Sequence, residues 1–143
     1  MQIRVGAAVF LLLLFAVVFA AFADERSPSE KLKRATVRLR EYKFEPSEIT
    51  LKVGEEAELT LINEGNVLHE FITAALQDLT VDVEVNGVVA ETLGLAELEI
   101  PPKMKVTLRF TPEKTGEFQI ACHANVPKDH FKEGMVGKLV IRK

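Results

Sequence analysis

The chain has 143 residues, enough for one domain, and 48% of them are hydrophobic. Its formal net charge of −3 at pH 7 gives no basis for nucleic-acid binding, which would call for a clustered basic patch. The single cysteine excludes an internal disulfide bond.

The N-terminus predicts an exported protein. Residues 5–23 form an unbroken run of apolar and small residues behind Arg4, and the run ends in Ala21-Phe22-Ala23, the pattern of a signal-peptide cleavage site. We therefore predict a signal peptide over residues 1–23. An uncleaved anchor is the alternative, because 19 apolar residues nearly span a bilayer core of about 30 Å. Both outcomes place the domain in a periplasmic or extracytoplasmic setting, and only the anchor implies membrane contact.

The predicted elements that follow are short strands. Residues 24–35 are charged and polar and predict a flexible linker before a domain over 36–143. Alternation of apolar and polar residues predicts strands at 37–40, 49–53, 57–61, 81–85, 106–110, 117–122 and 138–142. The apolar run 71–76 predicts a buried strand, and Asn86-Gly87 predicts a tight hairpin turn. Residues 90–99 fit a short helix and a loop equally well.

The spacing of these segments predicts the fold class. Seven to nine short strands recur with turn residues between them, and no long segment shows the helical period. We predict an all-β protein with an antiparallel Greek-key β-sandwich.

The last strand–loop–strand unit collects the metal-binding residue types. Cys122 ends one predicted strand, His130 lies on the connection, and Met135 precedes the next strand, while His69 lies upstream beside another strand. Thiolate, imidazole and thioether are donors that suit copper. A His₂Cys site with a weak thioether ligand tolerates both Cu(I) and Cu(II), as electron transfer requires. An unpaired thiol in an oxidising compartment also favours a metal-bound or buried cysteine.

Other interpretations use the same residues differently. Cys122 taken alone fits an inert buried thiol. His123 should face away from a metal that Cys122 faces, because neighbouring strand residues point to opposite faces, although a bent loop would return it to the site. Met104 is a remote axial candidate that fits a strand edge better. Zinc suits cysteine and histidine, but the thioether of Met135 is a poor zinc donor. A hydrolase that uses the cysteine as a nucleophile has no recognisable motif, so we expect no enzymatic activity.

The sequence resembles the cupredoxins, the blue copper proteins that include plastocyanin and azurin. The resemblance covers most of residues 37–76 and 105–143. The matching segments are Tyr42-Lys43-Phe44-Glu45-Pro46, Ile49-Thr50-Leu51-Lys52-Val53-Gly54-Glu55, Asn63-Glu64-Gly65-Asn66-Val67-Leu68-His69-Glu70-Phe71, Gly116-Glu117-Phe118 leading to Cys122, and His130-Phe131-Lys132-Glu133-Gly134-Met135-Val136-Gly137.

This resemblance implies one mononuclear type 1 copper ion with His69, Cys122 and His130 as equatorial ligands and Met135 as the axial ligand. It also implies that His130 has a solvent-facing edge. Two features depart from the family. The seven residues between Cys122 and His130 make a longer loop than usual, and Glu70 stands where the best-known members carry Asn.

The resemblance further implies a carrier that exchanges single electrons with redox-partner proteins. Docking is expected near His130 on apolar residues that surround it, namely Val126, Pro127, Phe131 and Val136. The alternative is an exported copper carrier, sensor or resistance protein without an electron-transfer role.

Overall fold

The computed structural model describes residues 32–143. The predicted signal peptide and residues 24–31 of the predicted linker lie outside the described residues. Within them, no helix is long and apolar enough to cross a membrane.

Eleven strands form two sheets that pack face to face. The strands are β1 Lys33–Arg40, β2 Lys43–Glu45, β3 Glu48–Lys52, β4 Ala57–Asn63, β5 His69–Ile72, β6 Thr80–Val85, β7 Val88–Leu93, β8 Glu97–Ile100, β9 Lys105–Phe110, β10 Gly116–Ala121 and β11 Val136–Arg142. One sheet has the order β2-β1-β4-β9-β6-β7 and the other has the order β3-β11-β10-β5-β8. A single 3₁₀ turn covers Ala74–Leu76 within the described range.

The predicted all-β sandwich is confirmed, with two differences. The described residues form eleven strands instead of seven to nine, and both sheets are mixed instead of wholly antiparallel. β1 pairs in parallel with β4, and β3 pairs in parallel with β11. The first parallel pair arises because the chain leaves the β1–β2 hairpin, crosses to the other sheet as β3, and returns beside β1 as β4.

Alternation along the strands builds the core between the sheets. β4 alternates perfectly between buried and half-buried positions, so every second side chain points inward. Both sheets contribute side chains with at most 2% exposure, among them Val37, Leu39, Leu59, Leu61, Leu108, Phe71, Ile120 and Leu139. This core fixes the register of the strands that carry the site, because a slip by one residue would turn these side chains outward.

Some elements predicted from short-range sequence patterns are confirmed by the structure, and others have different bounds or a different type. The Asn86-Gly87 turn between β6 and β7 is confirmed, and both residues have the positive φ angles, 53° and 81°, that a type I′ turn requires. The buried strand predicted over 71–76 ends at Ile72, since the hydroxyl of Thr73 accepts a hydrogen bond from the backbone N–H of Ala75 and begins the 3₁₀ turn. Residues 90–99 are neither a helix nor a loop, because β7 and β8 occupy most of them. β1 begins at Lys33, three residues before the predicted domain boundary.

Asn63 organises the connection from β4 to β5. Its side-chain amide donates to the carbonyl oxygens of Val67 and Ile100, both at 2.8 Å, and its side-chain oxygen accepts from the N–H of Gly65 at 2.9 Å. The residue is fully buried, so water does not compete for these partners. Two of these hydrogen bonds therefore tie the segment that leads to His69 to the end of β4, and the third ties the end of β4 to the end of β8.

We expect Asn63→Ala to lower the free energy of unfolding by about 2–4 kcal/mol, because it leaves buried backbone groups without partners. Urea denaturation of the purified domain measures the change. The matched control is Asn66→Ala, a substitution at an exposed residue of the same connection, for which we expect a change within about 0.5 kcal/mol. Equal stabilities for the two variants would contradict the role of Asn63.

Candidate metal centre

The sheet topology brings the sequence-predicted site residues to one end of the sandwich. β10 pairs with β5 on one side and with β11 on the other. His69 is the first residue of β5, Cys122 directly follows β10, and Met135 directly precedes β11. His130 lies in the connection between β10 and β11. Residues separated by up to 66 positions in the sequence therefore meet at one sheet end.

Three donor atoms converge at this end. The Nδ1 atom of His130 lies 3.2 Å from the Nδ1 atom of His69 and 3.2 Å from the Sγ atom of Cys122. One donor atom from each residue lies within 4.8 Å of those from the other two. The donor atoms are two imidazole nitrogens and one thiol sulfur, and all three residues are fully buried. The cluster can hold one metal ion between a thiolate and two imidazoles.

Burial shifts the pKa values of Cys122 and His69 in opposite directions. It raises the pKa of the Cys122 thiol, and hydrogen bonds from the backbone N–H groups of Glu70 and Ala124 oppose that effect. Burial lowers the pKa of His69, and the neighbouring His130 ring lowers it further. The imidazole of His69 is therefore neutral near pH 7, as a ligand must be, whereas the thiol gives up a proton when a metal binds.

The backbone of Met135 connects the other loop residues of the cluster. Its carbonyl oxygen accepts from the N–H of Cys122 at 3.2 Å, and its N–H donates to the carbonyl oxygen of His130 at 3.0 Å. Its side chain is fully buried and belongs to the same core cluster as Cys122. The structure thus ties the backbone of Met135 to both Cys122 and His130, on the loop that joins β10 to β11.

The long loop folds back on itself. The N–H of His130 donates to the carbonyl oxygen of Ala124 at 2.9 Å, which closes the segment between the cysteine and the histidine into a compact turn. The carboxylate of Asp129 then accepts from the N–H of Lys132 at 3.0 Å. These local bonds return His130 to Cys122 despite the seven residues between them.

Glu70 joins the two segments that carry the donors. Its N–H donates to the Sγ atom of Cys122 at 3.2 Å, and its carboxylate accepts from the N–H of His123 at 2.9 Å. A carboxylate here connects the loops across the sheet end. Glu70 therefore connects the two segments at the position where the best-known cupredoxins carry Asn.

The alternative donors lie elsewhere. His123 is exposed, and its ring stacks on Phe131 with centroids 4.7 Å apart and 12° between the planes. Its side chain is therefore outside the donor cluster. Met104 precedes β9 at the strand edge, where its carbonyl oxygen accepts from the N–H of Asn63 at 2.9 Å.

The expectation that His130 has a solvent-facing edge is wrong. The residue is fully buried, and its Nε2 atom faces the carbonyl oxygen of Val126 at 3.2 Å. The half-buried Tyr42 ring covers it with a centroid distance of 4.7 Å, and the ammonium of Lys128 lies 4.6 Å from the centre of the Tyr42 ring. The longer loop supplies this cover, because both Val126 and Lys128 belong to the segment that lengthens it.

Three residues that support the site had no assigned role at the sequence level. Tyr42 and Asn63 were recognised only as parts of matching segments, and Glu41 was not recognised at all. The positions of Glu41 and Tyr42 depend on β1 lying beside β4, a pairing between segments distant in sequence. Alternation along one strand carries no signal for such a pairing.

The chain was compared with known proteins. Residues 9–141 match the family model described as cupredoxin-like domain. A curated relative, "Copper-resistant cuproprotein CopI" from Rubrivivax gelatinosus, is 28% identical over 104 residues, which cover 70% of this chain and 60% of the relative. The match therefore spans less than two thirds of the relative's length.

Solved structures share the fold at low sequence identity. A structure described as "Multicopper oxidase from Campylobacter jejuni: a metallo-oxidase" has a TM-score of 0.58 at 17% identity, and the match covers 82% of this chain and 31% of that one. Auracyanin B has a TM-score of 0.52 at 16% identity, with 80% of this chain and 91% of that chain covered. Because the family model covers nearly the whole chain, this protein belongs to the cupredoxin-like domain family.

Proposed function

We propose that the chain is an exported type 1 copper protein that carries single electrons between redox partners. The observation that carries the proposal is the convergence of two imidazole nitrogens and one thiol sulfur in a fully buried cluster. Nδ1 of each histidine and Sγ of Cys122 would hold one copper ion, with the buried thioether of Met135 as the axial donor. Copper bound there would supply a one-electron Cu(II)/Cu(I) couple.

The surroundings of the donors support a role in electron transfer. Cys122 is held by the N–H of Glu70 at its sulfur and by the carbonyl oxygen of Met135 at its own N–H. His130 is held at its backbone N–H and at its ring. Donors restrained in this way change position little when the charge at the site changes, which favours fast electron transfer.

Burial of the donors supports a carrier instead of an enzyme. His69, Cys122 and His130 have no exposed surface, so a substrate molecule has no direct approach to a metal held between them. Electrons need no open path, since they can pass through the covering side chains. The predicted signal peptide over residues 1–23 supports export, and retention of that segment would make the protein a membrane-tethered carrier.

The visible spectrum tests the copper site. We expect Cu(II) added to the purified domain to give an intense thiolate-to-copper absorption band that disappears on reduction and in Cys122→Ser, because that substitution removes the sulfur donor. His123→Ala is the matched control and should keep the band, since its ring lies outside the cluster. Absence of the band in the wild-type protein would overturn the proposal, and its loss in His123→Ala would reassign a ligand.

A second candidate function is copper handling without electron transfer. It is favoured by the similarity of the chain to a copper-resistant cuproprotein that is 28% identical over 104 residues. A protein that delivers or sequesters copper must exchange the ion, whereas an electron carrier must retain it through both oxidation states.

Repeated reduction and reoxidation in the presence of a Cu(I) chelator separates the two functions. We expect the copper content, measured by elemental analysis after each cycle, to stay at one ion per chain, because the donors are buried and restrained. Cys122→Ser, which lacks the thiolate, is the variant expected to lose copper to the chelator. Stepwise loss of copper from the wild-type protein would favour the handling function.

The proposed docking surface consists of exposed residues on the ligand loop. Val126 is 73% exposed, Phe131 and Val136 are each 38% exposed, and Pro127 lies between the first two. The side chain of Lys132, which pairs with Asp129, is 81% exposed on the same loop. An apolar patch with a charged rim is typical of transient interfaces between proteins.

We expect Lys132→Glu to slow electron transfer from a reduced acidic ferredoxin at low ionic strength, because it replaces attraction by repulsion at the patch. Stopped-flow mixing measures the rate constant. Lys114→Glu is the control, since this residue lies before β10 at the opposite end of the sandwich. Equal effects of the two reversals would contradict docking on the ligand loop.

A further inference from the structure

One nitrogen of the donor cluster has no partner. Among the described residues, the Nε2 atom of His69 is the one buried side-chain nitrogen or oxygen without a hydrogen bond. Buried polar atoms in native proteins are almost always hydrogen-bonded, so an orphan atom calls for an explanation. The Nδ1 atom of the same ring faces His130, which leaves Nε2 to carry the ring proton whenever Nδ1 binds a metal.

A carboxylate lies close to this nitrogen. The Oε1 atom of Glu41, in the turn between β1 and β2, lies 4.0 Å from Nε2 of His69. This distance is about 1 Å longer than a hydrogen bond. The side chain of Glu41 is 29% exposed, so it retains some freedom to move while His69 is enclosed.

The carboxylate is hydrogen-bonded to the segment that leads into His69. Oε1 of Glu41 accepts hydrogen bonds from the N–H of Asn66 and, at 3.3 Å, from the N–H of Val67. These bonds, chiefly the one from Asn66, lower the pKa of Glu41, which keeps the carboxylate ionised near neutral pH. The negative charge is therefore present on the side of His69 that faces away from the donor cluster.

Gly65 provides the space that the carboxylate occupies. A Cβ atom at this buried position would lie 2.5 Å from Oε1 and 2.9 Å from Cδ of Glu41. Such approaches are shorter than van der Waals contact, so any side chain at residue 65 would displace the carboxylate. The N–H of Gly65 is held by Asn63, which fixes the backbone against moving aside.

We propose that Glu41 is a positioning residue for His69, an inference that rests on the proposed copper function. When Nδ1 of His69 binds copper, the Glu41 carboxylate accepts the Nε2–H hydrogen bond and so fixes the orientation of the ring. Carboxylates in this relation to a ligating histidine also raise its basicity as a ligand. The negative charge stabilises Cu(II) more than Cu(I), because the oxidised ion carries the larger positive charge.

The reduction potential tests the proposal. We expect Glu41→Gln to shift the oxidation equilibrium about tenfold toward Cu(I), which is a rise of about 59 mV for a one-electron couple. Glu45→Gln is the matched control: it removes the same charge from the same region of the sheet, where Glu45 pairs with Arg40 and Lys43 instead of His69. Protein-film voltammetry of the two variants and the wild-type protein measures the shifts.

Two further measurements keep the proposal testable if Glu41→Gln fails to fold. Gly65→Ala displaces the Glu41 carboxylate without removing it and should therefore also raise the reduction potential. In the diamagnetic Cu(I) form of the wild-type protein, ¹⁵N NMR should show a slowly exchanging proton on Nε2 of His69. That proton should exchange at least tenfold faster in Glu41→Gln or Gly65→Ala.

The outcomes separate this inference from the function on which it rests. An intense thiolate band together with equal potentials for Glu41→Gln and Glu45→Gln would overturn the role of Glu41 and leave the copper site standing. An unprotonated Nε2 in the Cu(I) form would overturn it as well. Absence of the band in the wild-type protein would overturn the copper site and this inference together.

Discussion

The candidate centre depends on β10 being paired along both edges. β11 fixes its far edge over six residue pairs, and β5 joins its near edge at the end that carries Cys122. A shift of β10 by one residue would break its six pairs with β11 and the pair of Ala121 with Ile72 of β5. The position of the Cys122 thiol relative to His69 therefore follows from sheet pairing.

The polar atoms that are buried where these residues meet need hydrogen-bond partners. Uncompensated burial of a polar atom costs about 1–3 kcal/mol. The structure meets most of that demand with backbone groups: the N–H of Glu70 at the sulfur and the carbonyl of Val126 at Nε2 of His130. Nε2 of His69 is the exception, and it is the atom that faces Glu41. The one nitrogen of the His69 ring that lacks a hydrogen bond thus has the Glu41 carboxylate 4.0 Å away.

Local patterns predicted most of the strands, because alternation and turn residues act over a few positions. Asn86-Gly87 and the alternating segments of β4 and β9 are examples. The donor residues were predictable because Cys122, His130 and Met135 lie together on one loop. The parallel pairing of β1 with β4 was not predictable, since it depends on a crossing between sheets that no local period records. The roles of Glu41 and Tyr42 could not be predicted for the same reason, because the turn that carries them reaches the site through this pairing.

The burial of His130 changes what a partner would meet at this face. The loop places the carbonyl oxygen of Val126 on the imidazole nitrogen that would otherwise point outward. The Tyr42 ring then lies between His130 and the surface, with the ammonium of Lys128 above it. A protein that docks here would contact a phenol ring and a lysine instead of a histidine edge. The longer loop supplies the carbonyl oxygen of Val126 and the ammonium of Lys128, and the ion pair with Glu133 holds that ammonium in place.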